Sequence, residues 1–588
     1  MAAVRRHLPR DGPTSRPPSV GERLARRHRD YFLDLLRRAE PELHGPEQVR
    51  WLDLLAANHD NVRAAIDWSL ASNEVDDALV MVAKLRRFWE IRGHWAEGRR
   101  QARRVVDAAT DAAPPALVAA ALLTAVRLAQ IADHQSAGDM LRSAADAVAR
   151  ADRPELHADL LIMQWSNSLE PRALTELETA LELAREADDA ALVARAIWEL
   201  GGVMRLQGVR GGGSRRREAL RTWERIGDRS GTAWALTDMA WFKGGAERRA
   251  AALRALTLGV ELGDDAIITT VADQVTWEAV GRADRAAALD ASERGIAAAR
   301  RTGDAGHQAW LLMNGAYLRA EIGDYDGARQ LMDEHRDVVA DDIAGRAAGL
   351  RTVAVIEEDA GNRALASERI DAAVSLARAS GHDRSLAFCL EGAGLILFAR
   401  GEAASARAAL DAAVTALGRP HRGETFNDLR RMTMLLTAIS FETGDAAGAR
   451  HWVARHDEVT AGDLMQAGMH QRLLAMADAA AGELTDAEGR LRRAVHLDLE
   501  SGWVRWAALT LPDLARVRAD VGDFVAAARV LACSDATSRA AGFVVPHFIW
   551  RRWHDHLLER LRAALGDSFD TQWQAGRGIP IGEILEVV

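Results

Sequence analysis

The chain has 588 residues, is 48% hydrophobic and 27% charged, and carries a net charge of −10, an acidic balance that argues against nucleic acid as the main partner because phosphate binding needs a basic face. Cys389 and Cys533 are the only cysteines, too few for a disulfide framework or a cysteine zinc site. No run of about 18 apolar residues predicts a transmembrane helix, and the charged N-terminus lacks the apolar stretch of a secretory signal, so the chain reads as cytoplasmic.

Residues 1–20 read as a disordered basic tail, rich in Arg and broken by Gly12, Pro13, Pro17 and Pro18. From Gly21 the pattern turns helical and stays so. Ala, Leu and Arg, all strong helix formers, dominate. Long alternating or β-branched runs are absent, which predicts no sheet. Residues 21–110 are expected to form an N-terminal helical cap and the first repeats, 111–545 a repeat array, and 546–588 capping helices.

The repeat signal is a glycine turn before a polar residue, followed by an Ala-rich helix. It recurs at Gly323, Gly361, Gly401, Gly444, Gly482 and Gly522, with weaker copies at Gly281, Gly244, Gly208 and Gly93 and a mean period of about 39 residues. A second series, Gly227, Gly263, Gly303, Gly381, Gly502 and Gly542, falls half a period away. Two turns per period mean two helices per repeat, each ended by a left-handed glycine. Such a hairpin cannot bury its apolar face alone, so neighbours must stack. The expected fold is all-α: eleven or twelve tetratricopeptide-like hairpins in a right-handed superhelical solenoid with a long concave groove.

No chemistry is selected. Gly211-Gly212-Gly213-Ser214 lacks the GK[ST] of a phosphate loop and reads as a flexible inter-helix loop. His554-Asp555-His556 reads as a solvated helix end, and His451 and His456 are spaced poorly for one metal. Glu357-Glu358-Asp359 and Asp341-Asp342 read as solvated faces, and no GxSxG elbow occurs. No enzyme activity, cofactor or metal is expected.

The tryptophans are more informative. The first helix of each hairpin should line the groove, and positions ten, six and three before the turn glycine share one face. This places Trp198, Arg205, Trp234, Asp238, Trp241, Tyr317, Arg351 and Glu391 on or near the groove wall as candidate contacts for a protein, peptide or small-molecule effector. The competing reading packs each Trp between helices.

Two segments carry a family resemblance. Leu24 to Ser72, with His28, Tyr31-Phe32, Glu40, Trp51-Leu52, His59-Asp60-Asn61, Ala64-Ala65 and Trp68, resembles the start of the repeat region in large actinobacterial LuxR-type and AfsR-like regulators of the STAND ATPase class. Leu561 to Val588, with Gly566, Phe569, Trp573 and Gly576-Arg577, resembles the end of that region. The resemblance implies a sensor or scaffold role in transcriptional regulation. The family's NTPase and DNA-binding modules would lie outside these residues, so neither ATPase nor DNA-binding activity is expected. The alternatives are an assembly adaptor with no small ligand, an enzyme on a helical-repeat frame, or a fragment of a larger regulator.

Overall fold

The computed structural model describes residues 19–132, 134–166, 168–242, 245–418, 424–460 and 467–587. Most of the basic tail assigned from the sequence thus lies outside the described residues. Among those described, 84% are helical and there is no strand. After Val20–Glu42, Gln48–Ala57 and His59–Ala71, the helices alternate as hairpins, from Val75–Ile91 with Trp95–Asp107 to Val504–Asp520 with Phe524–Ala540. The fold is an all-α tandem array of tetratricopeptide-like helical hairpins. No helix among the described residues is long and apolar enough to cross a membrane.

The turn glycines at 93, 208, 323, 361, 401, 444, 482 and 522 all adopt positive φ, between 69° and 89°. Only glycine enters that region without steric cost. The weaker copy at Gly281 is corrected: Gly281 ends the helix Asp265–Gly281, and Ala283 takes the left-handed turn at φ 63°. Asn73, Asp152 and Asp188 make the remaining early turns, since short polar side chains tolerate this conformation. Gly244 lies outside the described residues.

Two compact units divide the chain, one formed by residues 1–235 and 260–264 and the other by residues 236–259 and 265–588. In each, most of the first helices of successive hairpins also touch one another. In the first unit a polar link joins the early helices to Asp228. Arg87, on Val75–Ile91, donates from Nη2 to both oxygens of Asp228 at 2.9 Å, at the start of Arg229–Phe242. Gln48 from the N-terminal cap donates to the same carboxylate at 3.0 Å and accepts from the Ser230 amide. In the second unit, Asp265–Gly281 meets Val504–Asp520, and Arg282 donates to the Ser501 carbonyl at 3.1 Å. Ala-lined seams with no exposed area, such as Ala373, Ala387, Ala406 and Ala413, let the helices approach closely.

Gly211 to Gly213 are not a flexible loop. Gly211 is the N-cap of Gly212–Ile226, and Gly212 crosses Gly201 of the preceding helix in near backbone contact.

Candidate functional site

The second unit carries a polar array across its first helices. Tyr317, Arg351 and Glu391 stand on three successive first helices, Ala305–Glu321, Ile343–Asp359 and Asp383–Arg400. Arg351 donates to the Tyr317 hydroxyl and forms an ion pair with Glu391, while its guanidinium lies 4.3 Å from the Phe388 ring centre. Arg431, on the next first helix, reaches the other Glu391 oxygen at 3.4 Å and Asp428 at 3.2 Å. Burial alone would raise the Glu391 carboxyl; Arg351 and Arg431 outweigh it and hold the group below its ordinary value. Register from the sequence thus brings Tyr317, Arg351 and Glu391 together, with their charges directed at one another.

The chain's own C-terminal segment lies across this first-helix layer. The Val544 amide donates to the Glu321 carbonyl at 2.9 Å, and His547 bonds the Glu321 carboxylate at 2.8 Å, where Arg505 also binds. Burial would raise Glu321, but His547 and Arg505 pull it down to about 2. Trp550 and Trp553 meet Phe398 edge-on, with centroids 5.7 and 5.5 Å away, and Trp553 also meets Phe441. Arg551 bonds Asp359 at 2.9 Å, and Arg552 pairs with Glu442. These contacts read as an aromatic and basic peptide held on an acidic and aromatic wall. The run Phe548-Ile549-Trp550-Arg551-Arg552-Trp553 was visible in the sequence, but nothing there says which wall receives it.

Two cavities border the segment. An enclosed one of about 40 Å³ lies between Arg472, Pro512, Asp513, Trp550, Trp553 and His554, with room for a few waters at most. A more open cleft of about 420 Å³ is polar, edged by Glu358, Arg363, Arg400, Arg551, Arg552 and Glu559. Glu357 and Glu358 are not solvated faces: both are buried, Glu357 held by Arg329 and Glu358 by Arg400. His554 is likewise buried, bonding Asp535 at 3.2 Å rather than ending a helix in solvent. His456 is buried against Thr433 at 3.0 Å.

The tryptophan candidates divide. Trp198 is part-buried, with the Arg216 guanidinium 3.7 Å from its ring centre and Trp223 at 5.6 Å, so it serves the packing of its own hairpin. Trp234 is 38% exposed. Arg205 and Asp238 are half-buried. The side chain of Trp241 lies outside those described.

One group in the first unit has metal-ligand composition. His59, His94 and Glu97 place donor atoms within 4.8 Å of one another. Two of the three already have partners: the Trp89 indole donates to His59 Nε2 at 3.3 Å, and Arg63 donates to one Glu97 oxygen at 2.9 Å. Burial lowers both imidazoles, and the Arg63 charge acts in the same direction.

No family model matches the chain, and no curated relative matches it. Among solved structures the chain is similar to a protein in the crystal structure of the APC/C hetero-tetramer Cut9-Hcn1. The identity is 13% and the TM-score 0.37, over 87% of this chain and 96% of that one.

Proposed function

We propose that this chain is a protein-binding helical-repeat scaffold with a regulatory role, related to the sensor region of STAND-type LuxR-like and AfsR-like regulators. The observation that supports this reading is the seat of residues 544–553 on the first helices of the second unit. A layer that holds an aromatic and basic segment in cis, Phe548–Trp550 as a single 3-10 turn running into the helix Arg551–Leu565, has the chemistry to hold one from a partner. Tryptophan and arginine are the residues that most often anchor such contacts. Trp234 enters the proposal as an accessible contact residue. Tyr317, Arg351 and Glu391 enter as the ladder that fixes the register of the helices behind the contact surface.

Protein is favoured over a small apolar effector as partner. The enclosed cavity of about 40 Å³ is far below the roughly 300–1,000 Å³ of small-molecule pockets, and the cleft of about 420 Å³ is polar and open.

The test uses a fluorescein-labelled peptide spanning residues 544–555 and the full chain carrying Trp550→Ala and Trp553→Ala, which loosens the cis segment. Saturable anisotropy on the variant, weaker on the parent chain and competed by unlabelled peptide, supports the reading. Absence of binding to a variant whose helix content and melting match the parent refutes it.

A further inference from the structure

The first unit gathers a second, unrelated cluster. Arg86 and Arg87 lie on Val75–Ile91, Arg127 on Pro115–Ala132 and Arg195 on Ala190–Leu206. These four guanidinium groups face three carboxylates, Glu90, Asp159 and Asp228, and the cluster therefore keeps one positive charge in excess. Glu90, bonded by Arg86 and Arg127, and Asp159 on Pro154–Trp165, bonded by Arg86 and Arg195, bring the four helices onto one centre.

The pairing is uneven. Arg86 uses three nitrogens, donating from Nε to Glu90 at 3.2 Å and from both Nη groups to Asp159. Arg127 has only one bond, from Nε to Glu90 at 3.1 Å, which leaves both Nη groups without a partner among the described residues. Arg195 also has only one, from Nη1 to Asp159 at 3.0 Å. Arg87 Nε is buried and unpartnered as well. The Arg127 and Arg195 side chains keep 33% and 18% of their surface, so the unused N–H groups are reachable. Burial, followed by the charge of Arg127, pulls the Arg195 guanidinium down to about 10, the signature of two cations crowded into a partly dry space.

We propose that Arg127 and Arg195 form an oxyanion site that takes a phosphate or carboxylate group. Glu90 holds Arg127, and Asp159 holds Arg195, by a single nitrogen, which fixes the orientation of each and leaves the rest of its fork free. Guanidinium forks donate in pairs to planar or tetrahedral oxyanions, and charge-assisted bonds of this kind are short and strong. An anion placed there neutralises the excess charge and relieves the repulsion between the two arginines.

Phenylglyoxal modification of the full chain, mapped by peptide mass spectrometry, tests this without any substitution. The probes are sodium phosphate and, as the carboxylate arm, sodium acetate, against sodium chloride at equal ionic strength. At about 20 mM probe, the adduct yield at Arg127 and Arg195 should fall about fivefold, while Arg142, on the open surface, reacts as before. Protection by phosphate alone assigns a phosphate-bearing ligand, and protection by acetate assigns a carboxylate; either supports the site. Equal yields in all three salts overturn it, as does protection of Arg142 to the same degree. Arg195→Gln gives a second readout. Phosphate should raise the melting temperature of the parent chain above its value in chloride and leave this variant unmoved. A shift of equal size in both overturns the assignment.

Discussion

Arg351 and Glu391, forty residues apart on consecutive first helices, form an ion pair from which solvent is almost excluded, with 5% and 2% of their side-chain surface exposed. Neither partner can be removed without leaving the other charged in a dry site. Glu391→Gln should destabilise the second unit by about 3 kcal/mol, since breaking a buried pair typically costs that much. The double change Arg351→Met with Glu391→Leu should recover most of the loss. Urea unfolding followed by helical circular dichroism measures both, and additive losses in the double variant would show that the pair is not coupled.

Gly201 and Gly212 permit a close helix crossing in the first unit. A Cβ at Gly201 would stand 2.8 Å from the Gly212 carbonyl oxygen, and one at Gly212 would stand 2.6 Å from that of Gly201, whereas one at Gly213 meets nothing within 4 Å. Gly213→Ala should therefore stabilise by up to about 1 kcal/mol through helix propensity alone. Gly201→Ala should destabilise by about 2 kcal/mol because the backbones must part. Melting temperatures of the two variants should move in opposite directions; movement together would remove the close-crossing account.

The periodic parts of the fold were legible for local reasons. Glycines such as Gly361 and Gly401 mark turns because a left-handed φ is written into a single residue. Ala406, Leu410 and Ala413 mark a seam because helical spacing repeats it. Asp152 and Asp188 make the same turns without glycine, and so their turns escaped the pattern. Glu358 and His554 look like surface groups in sequence, where nothing signals that Arg400 lies 42 residues from the one and Asp535 lies 19 residues from the other. Arg127 and Arg195 are invisible for the same reason: each is an arginine in an Ala-rich helix, and only Glu90, Arg86 and Asp159, distant in sequence, draw them to one cluster. The eight groove residues came from register alone, which locates a face of a helix but not what that face meets.

Stability should depend on pH in two opposed limbs. Burial pushes the Asp498 carboxyl up to about 7, with Arg472 offsetting only part of it. Its folded value lies above the unfolded one, so its contribution is fully present below about pH 4 and is lost as pH rises through 7. Burial lowers His335 and His456 to about 4. Their folded values lie below the unfolded one, so the stability they support is present above about pH 6.5 and is lost as pH falls toward 4. Asp498→Asn keeps the shape of the protonated acid. It should stabilise the protein by on the order of 2 kcal/mol at pH 8, seen as a higher melting temperature, and leave the melting temperature unchanged at pH 4. An equal effect at both values would mean that Asp498 does not titrate in this way.

Trp198 and Trp234 offer the sharpest test of which aromatic side chains hold the fold and which are available for contact. Trp198 lies between Arg216 and Trp223, with ring or guanidinium partners at 3.7 and 5.6 Å. Trp198→Ala should therefore destabilise the first unit by about 3 kcal/mol, part from lost area and part from the void left behind. Trp234, 38% exposed, should tolerate Ala to within about 0.5 kcal/mol. If Trp234 anchors a partner, that same variant should weaken the complex by about 2 kcal/mol, roughly thirtyfold in Kd. Thermal unfolding of the two variants separates the cases before any partner is in hand. A large loss of stability in Trp234→Ala would place its ring in the packing of the hairpin and remove it from the contact surface. An unchanged melting temperature in Trp198→Ala would mean that the Arg216 and Trp223 contacts contribute little, and would return that ring to the candidates for binding.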